Sequence, residues 1–301
     1  MNQTLPANPF EQLILDLAPR YGPGEARSIA RIVFEDTFHT RQPAFRVFSP
    51  AEEAQFLEIR RRLLLGEPVQ YVLESADFFG YRFVVHPAVL IPRQETEELV
   101  AWVLAYLKEQ KLQAPAVLDI GLGSGCIAVA IKAIQPAVQL YGIEKSRKAL
   151  ALAKANARRI LGEGQVTFWQ ADILDMGAWP PFPLFDVIVS NPPYIPRRER
   201  NRVPEHVLAH EPGLALFVED EDPLLFYRTI GAFSKQKLKP GGAVFFECNE
   251  FNATAVAELL RLQGFTDVEL RKDLAGADRL LLGRMFDSPA LRNRLKTPNE
   301  R

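Results

Sequence analysis

Asn191-Pro192-Pro193-Tyr194 is the segment whose residue types define a chemistry most narrowly. It follows the apolar run 185–190, which reads as a buried strand. The Asn191 side-chain oxygen is suited to accept one N–H of a planar –NH₂ group, and the Pro192 carbonyl is suited to accept the other. Two prolines fix φ and hold both acceptors at little further entropic cost, while Tyr194 offers a face for a flat group to pack on. Such an arrangement suits delivery of a methyl group to a nitrogen held still. The same residues after a strand also make an ordinary turn, because the residue before a proline is driven into extended geometry. The reading therefore depends on what else lies at that sheet edge.

A glycine loop lies upstream. The apolar run 116–120 leads into Gly121-Leu122-Gly123-Ser124-Gly125, and a helical stretch opens at Cys126. Glycines let backbone turn tightly and approach a ligand, and the helix N-terminus beyond favours negative charge. A second strand, 139–144, ends in Glu144 at roughly the ~20-residue distance of a ribose-binding acid. A third, 166–171, ends at Asp172, placed to accept from an adenine amino group, with Ile173 beside the ring. The dinucleotide pattern Gly-x-Gly-x-x-Gly fails at Cys126, since the third glycine falls one residue early at Gly125. This disfavours a nicotinamide dehydrogenase and fits the looser loop of S-adenosylmethionine sites. Taken singly, the glycines also suit a tight βα turn, Glu144 a solvated strand-end acid, and Asp172 a turn cap; together with Asn191 they point to one site.

The elements that must hold these residues alternate strand and helix, which implies a mostly parallel, doubly wound sheet. Ser146 is the expected N-cap of a helix over 147–161, and further helices are expected over 96–111, 224–239 and 253–263. Pro240-Gly241-Gly242 is read as a turn into strand 243–247, and strands 267–271 and 279–284 as a closing hairpin with the last strand antiparallel. Residues 1–75 read as a separate bundle of short helices, one opened by Ser49-Pro50, and as a partner-recognition module. Between them Tyr71, 78–85 and 89–91 read as strand pieces of a linking β-hairpin around Gly80. The expected organisation is a helical substrate-recognition domain (1–75), a hairpin linker (76–91), a catalytic domain (92–286) and a polar, disordered tail (287–301).

A chain of 301 residues with 48% hydrophobic residues can build one large and one small domain, and a net charge of −1 gives no global basic field for nucleic acid. No run approaches a membrane span and no apolar N-terminal core resembles a signal peptide. Cys126 and Cys248 lie in apolar runs and suit buried thiols in a reduced, cytoplasmic compartment. His206 and His210 are spaced to share a helix face but lack the Glu of a zinc-protease motif, and no metal is expected. The cluster Arg197–Arg202 reads as a solvated loop, or as a contact with an acidic or RNA-associated partner.

With these segments in place the chain resembles the peptide chain release factor N5-glutamine methyltransferases over nearly its full length. The resemblance is carried by 67–73, 79–83, 90–97, the loop 118–125, the turn 190–195, 211–216 and 273–279. It departs at Glu144 where the family usually has Asp, at Gln94-Glu95, at 249–252, and at Ile173 in place of an aromatic. It implies a seven-stranded class I methyltransferase (Rossmann-like) fold behind the helical bundle and β-hairpin linker, S-adenosylmethionine as cofactor, and methylation of the glutamine of a Gly-Gly-Gln motif in release factors. Asn191, Pro192 and Tyr194 would be catalytic and, with Pro193, hold substrate. Gly121, Leu122, Gly123, Ser124, Gly125, Glu144, Asp172, Ile173 and Asn191 would hold cofactor. A DNA adenine methyltransferase uses the same tetrapeptide but needs a basic target-recognition surface. A ribosomal-protein glutamine methyltransferase differs in partner, and a non-enzymatic nucleotide-binding module would bind cofactor without turnover.

Overall fold

The structure, a computed structural model, describes residues 8–41 and 47–285; the expected disordered tail lies outside the described residues. Helix α1 (Pro9–Phe38) contains the two expected amphipathic stretches, broken at Gly22, whose φ of 79° and ψ of 161° are not helical. Helix α2 (Pro50–Leu64) starts at a complete capping box between Ser49 and Glu52. These helices close around their own core of Phe10, Leu13, Phe34, Phe38 and Phe56.

Helix α3 (Val69–Val72) is one turn whose amides at Tyr71 and Val72 donate to the Pro68 carbonyl. Tyr71 is thus helical, not a strand piece as expected. Its ring is buried and its hydroxyl donates to the Val89 carbonyl at 2.5 Å. The hairpin of β1 (Ser75–Phe78) and β2 (Tyr81–Val84) turns at Phe79-Gly80, both with positive φ, the geometry that matches strand twist. Residues 89–91 are also not a strand: the Ile91 amide donates to the Glu211 carboxylate at 3.1 Å, a side-chain partner in place of a ladder neighbour.

After α4 (Gln94–Glu109) the chain alternates through β3 (Ala116–Ile120), α5 (Cys126–Ile134), β4 (Gln139–Glu144), α6 (Arg147–Leu161), β5 (Val166–Gln170) and β6 (Phe185–Ser190). A small excursion follows, with β7 (Ile195–Pro196), α7 (Glu205–His210), α8 (Gly213–Leu216) and β8 (Phe217–Val218); then come α9 (Leu225–Lys237), β9 (Leu238–Glu247), α10 (Ala253–Leu262), β10 (Thr266–Lys272) and β11 (Asp278–Arg284). Ser146 caps α6 by accepting from the Ala149 amide. Seven strands form one sheet in the order β10-β11-β9-β6-β3-β4-β5. β11 is antiparallel to both neighbours, while β9, β6, β3, β4 and β5 run parallel. This is the seven-stranded Rossmann-like methyltransferase fold.

The segment 240–242 is not a turn before a strand; β9 runs continuously from Leu238, and the register against β6 jumps from Phe185↔Leu238 to Val187↔Ala243. The extra residues bulge outward, as glycine allows. One sheet face packs under α4, α5 and α6, the other under α9 and α10. β3 is paired on one side with β4 and on the other with β6. The chain's winding reverses there, leaving a crevice at the carboxyl ends of the strands, where ligands bind in open α/β sheets.

Candidate active site

The carboxyl ends of β3, β4, β5 and β6 open onto a cavity of about 680 Å³. Its floor is built from the glycine loop. The Gly121 and Leu122 amides donate to the Ile143 carbonyl at 3.0 and 3.2 Å, which folds the loop over the end of β4. Gly121, Gly123 and Gly125 have φ of 84°, 54° and 81°. A Cβ on Gly121 or Gly123 would meet nothing within 4 Å, so both face open space, whereas one on Gly125 would sit 3.2 Å from Ala153 Cβ. Gly121, Leu122, Gly123 and Ser124 line the cavity; Gly125 does not, and instead lets α5 approach α6.

Glu144 lies where β4 ends, its two oxygens accepting from the Gly123 amide at 3.0 Å and the Ser146 amide at 2.8 Å. A carboxylate has about four lone-pair sites, so each oxygen keeps capacity for a hydroxyl of a ligand. Asp172 accepts from the Leu174 amide at 3.0 Å and pairs with Lys145 at 2.8 Å. Ile173 lies beside it on the cavity wall. Asp119 is fully buried next to the loop. Its Oδ2 accepts from the Ala128 amide at 3.2 Å, its Oδ1 has no partner, and burial pushes its carboxyl up to about 7.

Asn191, Pro192 and Pro193 also line the cavity, so the turn and the glycine loop face the same space. The turn is held from behind: Ser190 Oγ donates to the Ile120 carbonyl at 2.7 Å, tying the end of β6 to that of β3. Asn191 Nδ2 donates to Thr96 Oγ1 at 3.3 Å, and Thr96 Oγ1 donates to Glu247 Oε2 at 2.6 Å. With the nitrogen engaged, Oδ1 is the acceptor left for a ligand N–H. Tyr194 does not line the cavity; its ring packs against the core under α9, and burial raises its hydroxyl pKa, keeping it neutral.

The roof is the stretch His86–Arg93, which reading the sequence did not assign to the site. Glu211, almost wholly buried, anchors it through an ion pair with Arg93 and the Ile91 amide. Thr96 and Glu247 were missed as well. For Glu247 the available signal was an acid closing an otherwise apolar strand, the pattern shared by Glu144. In the Arg197–Arg202 cluster, Arg197 pairs with Glu219 at 2.9 Å and Arg202 with Glu199 at 3.1 Å, while the Arg198 guanidinium donates to the Asp220 carbonyl at 3.0 Å and Arg200 lies over the Phe217 ring. His206 and His210 both lie on α7, and among the described residues no group of three His, Cys, Asp or Glu can hold a metal. Cys126 and Cys248 are buried free thiols.

Residues 91–211 match the family model "Methyltransferase small domain". The release factor glutamine methyltransferase of Flavobacterium psychrophilum is 39% identical over 90% of this chain and 95% of its own length. That of Bacteroides thetaiotaomicron is 38% identical over 78% of this chain and 82% of its own. Among solved structures, the hMettl16 catalytic domain in complex with MAT2A 3'UTR hairpin 1 matches 92% of this chain and 92% of its own, with a TM-score of 0.56 at 15% identity, a likeness of fold alone. Nearly end-to-end identity at this level, over both the helical bundle and the sheet domain, means that the chain belongs to the release factor glutamine methyltransferase family.

Proposed function

We propose that this chain transfers a methyl group from S-adenosylmethionine to the side-chain amide nitrogen of the glutamine in a release factor's Gly-Gly-Gln motif. The observation that carries the reading is the Asn191 amide, held by its nitrogen so that its oxygen is left for a substrate N–H. The cavity residues fit the cofactor. Two glycines present bare backbone to open space, and Glu144 retains lone pairs for ribose hydroxyls. Asp172 and Ile173 would meet the adenine. When bound, the cofactor supplies an electrophilic methyl on a sulfonium.

The difficulty lies with the glutamine nitrogen, whose lone pair is delocalised into its carbonyl. Asn191 Oδ1 and the Pro192 carbonyl take its two hydrogens, fix the plane of the amide and favour the geometry in which the lone pair is available. Tyr194, packed beneath, stiffens the turn. As the N–C bond forms, the nitrogen becomes acidic and sheds a proton to water, so no strong base is required. Catalysis is therefore positioning and electrostatics.

The helical domain of residues 1–75 would read the release factor, with the hairpin linker joining it to the catalytic domain. A protein substrate, rather than nucleic acid, agrees with the near-neutral charge and with the acidic partners held by Arg197 and Arg202. Two free buried thiols agree with a reducing cytoplasm; no helix among the described residues is long and apolar enough to cross a membrane. The test is mass spectrometry of release factor, ribosomal protein and DNA incubated in parallel with the chain and S-adenosylmethionine. One added methyl on the Gly-Gly-Gln glutamine is expected; methylation only of ribosomal protein or of adenine would transfer the assignment to that substrate.

A further inference from the structure

We propose that Glu247 and Thr96 form a directional hydrogen-bond relay that decides which way round the Asn191 amide faces, which makes both of them positioning residues for methyl transfer. The inference rests on the reading in which Asn191 Oδ1 receives the substrate N–H. Glu247 ends β9, next to β6, and is 2% exposed; Thr96 lies in the first turn of α4 and is 3% exposed. Glu247 does not line the cavity. The chain of contacts runs from Glu247 Oε2 through Thr96 Oγ1, at 2.6 Å, to Asn191 Nδ2, at 3.3 Å.

A hydroxyl carries one proton, and an ionised carboxylate only accepts. Thr96 must therefore donate to Glu247 and offer Asn191 a lone pair. A lone pair meets an –NH₂ group and repels a carbonyl oxygen. The Asn191 nitrogen is drawn inward, and Oδ1 is left facing the cavity. Protonating Glu247 reverses the polarity: the carboxyl O–H donates to Thr96, whose hydroxyl is then free to donate to Oδ1. The amide turns, and its –NH₂ group meets the –NH₂ group of the substrate, donor against donor. One proton on a residue outside the cavity thus sets whether the site can orient the substrate amide for transfer.

The surroundings tune that proton. Burial pushes Glu247 up to about 7, opposed by the Thr96 hydrogen bond and the charge of Arg279, assisted by Glu95, and opposed again by a hydrogen bond from the Asn191 amide, so the ionised carboxylate draws the Asn191 nitrogen inward directly as well as through Thr96. The other titratable neighbours are Tyr194, Tyr227 (whose hydroxyl donates to the Glu247 carbonyl at 3.1 Å), Cys126 and Cys248. Burial raises all four, so they stay neutral over roughly pH 6 to 8. Because the ionised form of Glu247 is the competent one, the transfer rate rises with pH through about 7 and levels off above it. Asp119 is pushed to about 7 as well, and its titration is common to wild type and Glu247 variants.

The experiment compares single-turnover rates against pH, with release factor as substrate, for wild type, Glu247→Gln, Thr96→Val and Thr96→Ser. Glutamine at 247 can donate or accept, so Glu247→Gln loses the lock. It is expected to slow transfer on the order of tenfold to a hundredfold at pH 8, as small misplacements do, with KM for release factor little changed. It should also remove the Glu247 limb of the profile while keeping that of Asp119. Thr96→Val is expected to be as slow, and Thr96→Ser, which keeps the hydroxyl, to recover most of the rate. A second readout needs no substrate: the side-chain –NH₂ resonances of ¹⁵N-labelled Asn191 should titrate in wild type and lose that titration in Glu247→Gln. The relay is then judged even if wild type leaves release factor unmodified. Wild-type rate and pH profile in Glu247→Gln, or Asn191 resonances that titrate identically in the two proteins, would overturn it.

Discussion

Asp119 is wholly buried, with one oxygen orphaned and no cation beside it. Its carboxyl has an ordinary pKa near 3.8 and is pushed to about 7 in the fold. Between those values the native state holds a proton that the unfolded chain has released, so stability falls as pH rises through that window and stays lower above it. Asp119→Asn keeps an acceptor for the Ala128 amide and abolishes this dependence. The melting temperature of the unliganded variant is expected to exceed that of wild type by a few degrees at pH 8, and the two should converge near pH 4; calorimetry across pH measures both. Asn191 and Glu144 were legible in the sequence because each closes an apolar run with a chemically pointed residue. Glu247 closes its strand in the same way, but its link to the site was hidden, and Thr96 carries no such mark. Their hydrogen bond joins residues 151 apart in the chain, and that from Asn191 to Thr96 spans 95. Only the fold brings them together.

Among the elements, the glycine loop depends on a glycine outside it. Gly142, in β4, lies beneath Leu122, and a Cβ there would fall 2.5 Å from Leu122 Cδ2 and 2.9 Å from its Cγ. Leu122 is buried but lines the cavity, so it can yield only by shifting into the space meant for ligand. Gly142→Ala is therefore expected to destabilise the protein by about 1–3 kcal/mol, as overpacking does, and to weaken S-adenosylmethionine binding by displacing the loop. Urea unfolding and calorimetric titration separate the two effects. The strands and helices of the sheet domain were readable from period and punctuation, since Ser146, Gly121 and the double proline mark element ends chemically. Tyr71 and Val89-Leu90-Ile91 were misread as strand because β-branched and aromatic residues favour any half-buried surface. What decided their conformation was the Pro68 carbonyl and the Glu211 carboxylate, partners invisible to local pattern.

In the whole molecule, the helical bundle keeps its own aromatic core and is tied to the rest by polar contacts, among them the ion pair of Asp36, in α1, with Arg82 of the hairpin at 2.9 Å. Tyr71 donates to the Val89 carbonyl in the cavity roof. Asn156, in α6, accepts from the Val84 amide at 2.9 Å and donates to the carbonyls of Val84 and Ser124, linking the hairpin to the glycine loop. Tyr71→Phe keeps the packing and orphans the Val89 carbonyl. It is expected to cost about 1 kcal/mol of stability and to raise KM for release factor more than it changes single-turnover rate, measured by denaturation and steady-state kinetics. The claim on which all of this turns is that Asn191 orients the substrate amide, over and above any contact it makes with cofactor. Its most direct test is the single-turnover rate of Asn191→Ala on release factor, set beside the variant's S-adenosylmethionine dissociation constant. A rate lower by on the order of 10²–10³, with cofactor affinity kept within a few-fold, is the expected result; an undiminished rate, or a loss wholly accounted for by cofactor affinity, would contradict it.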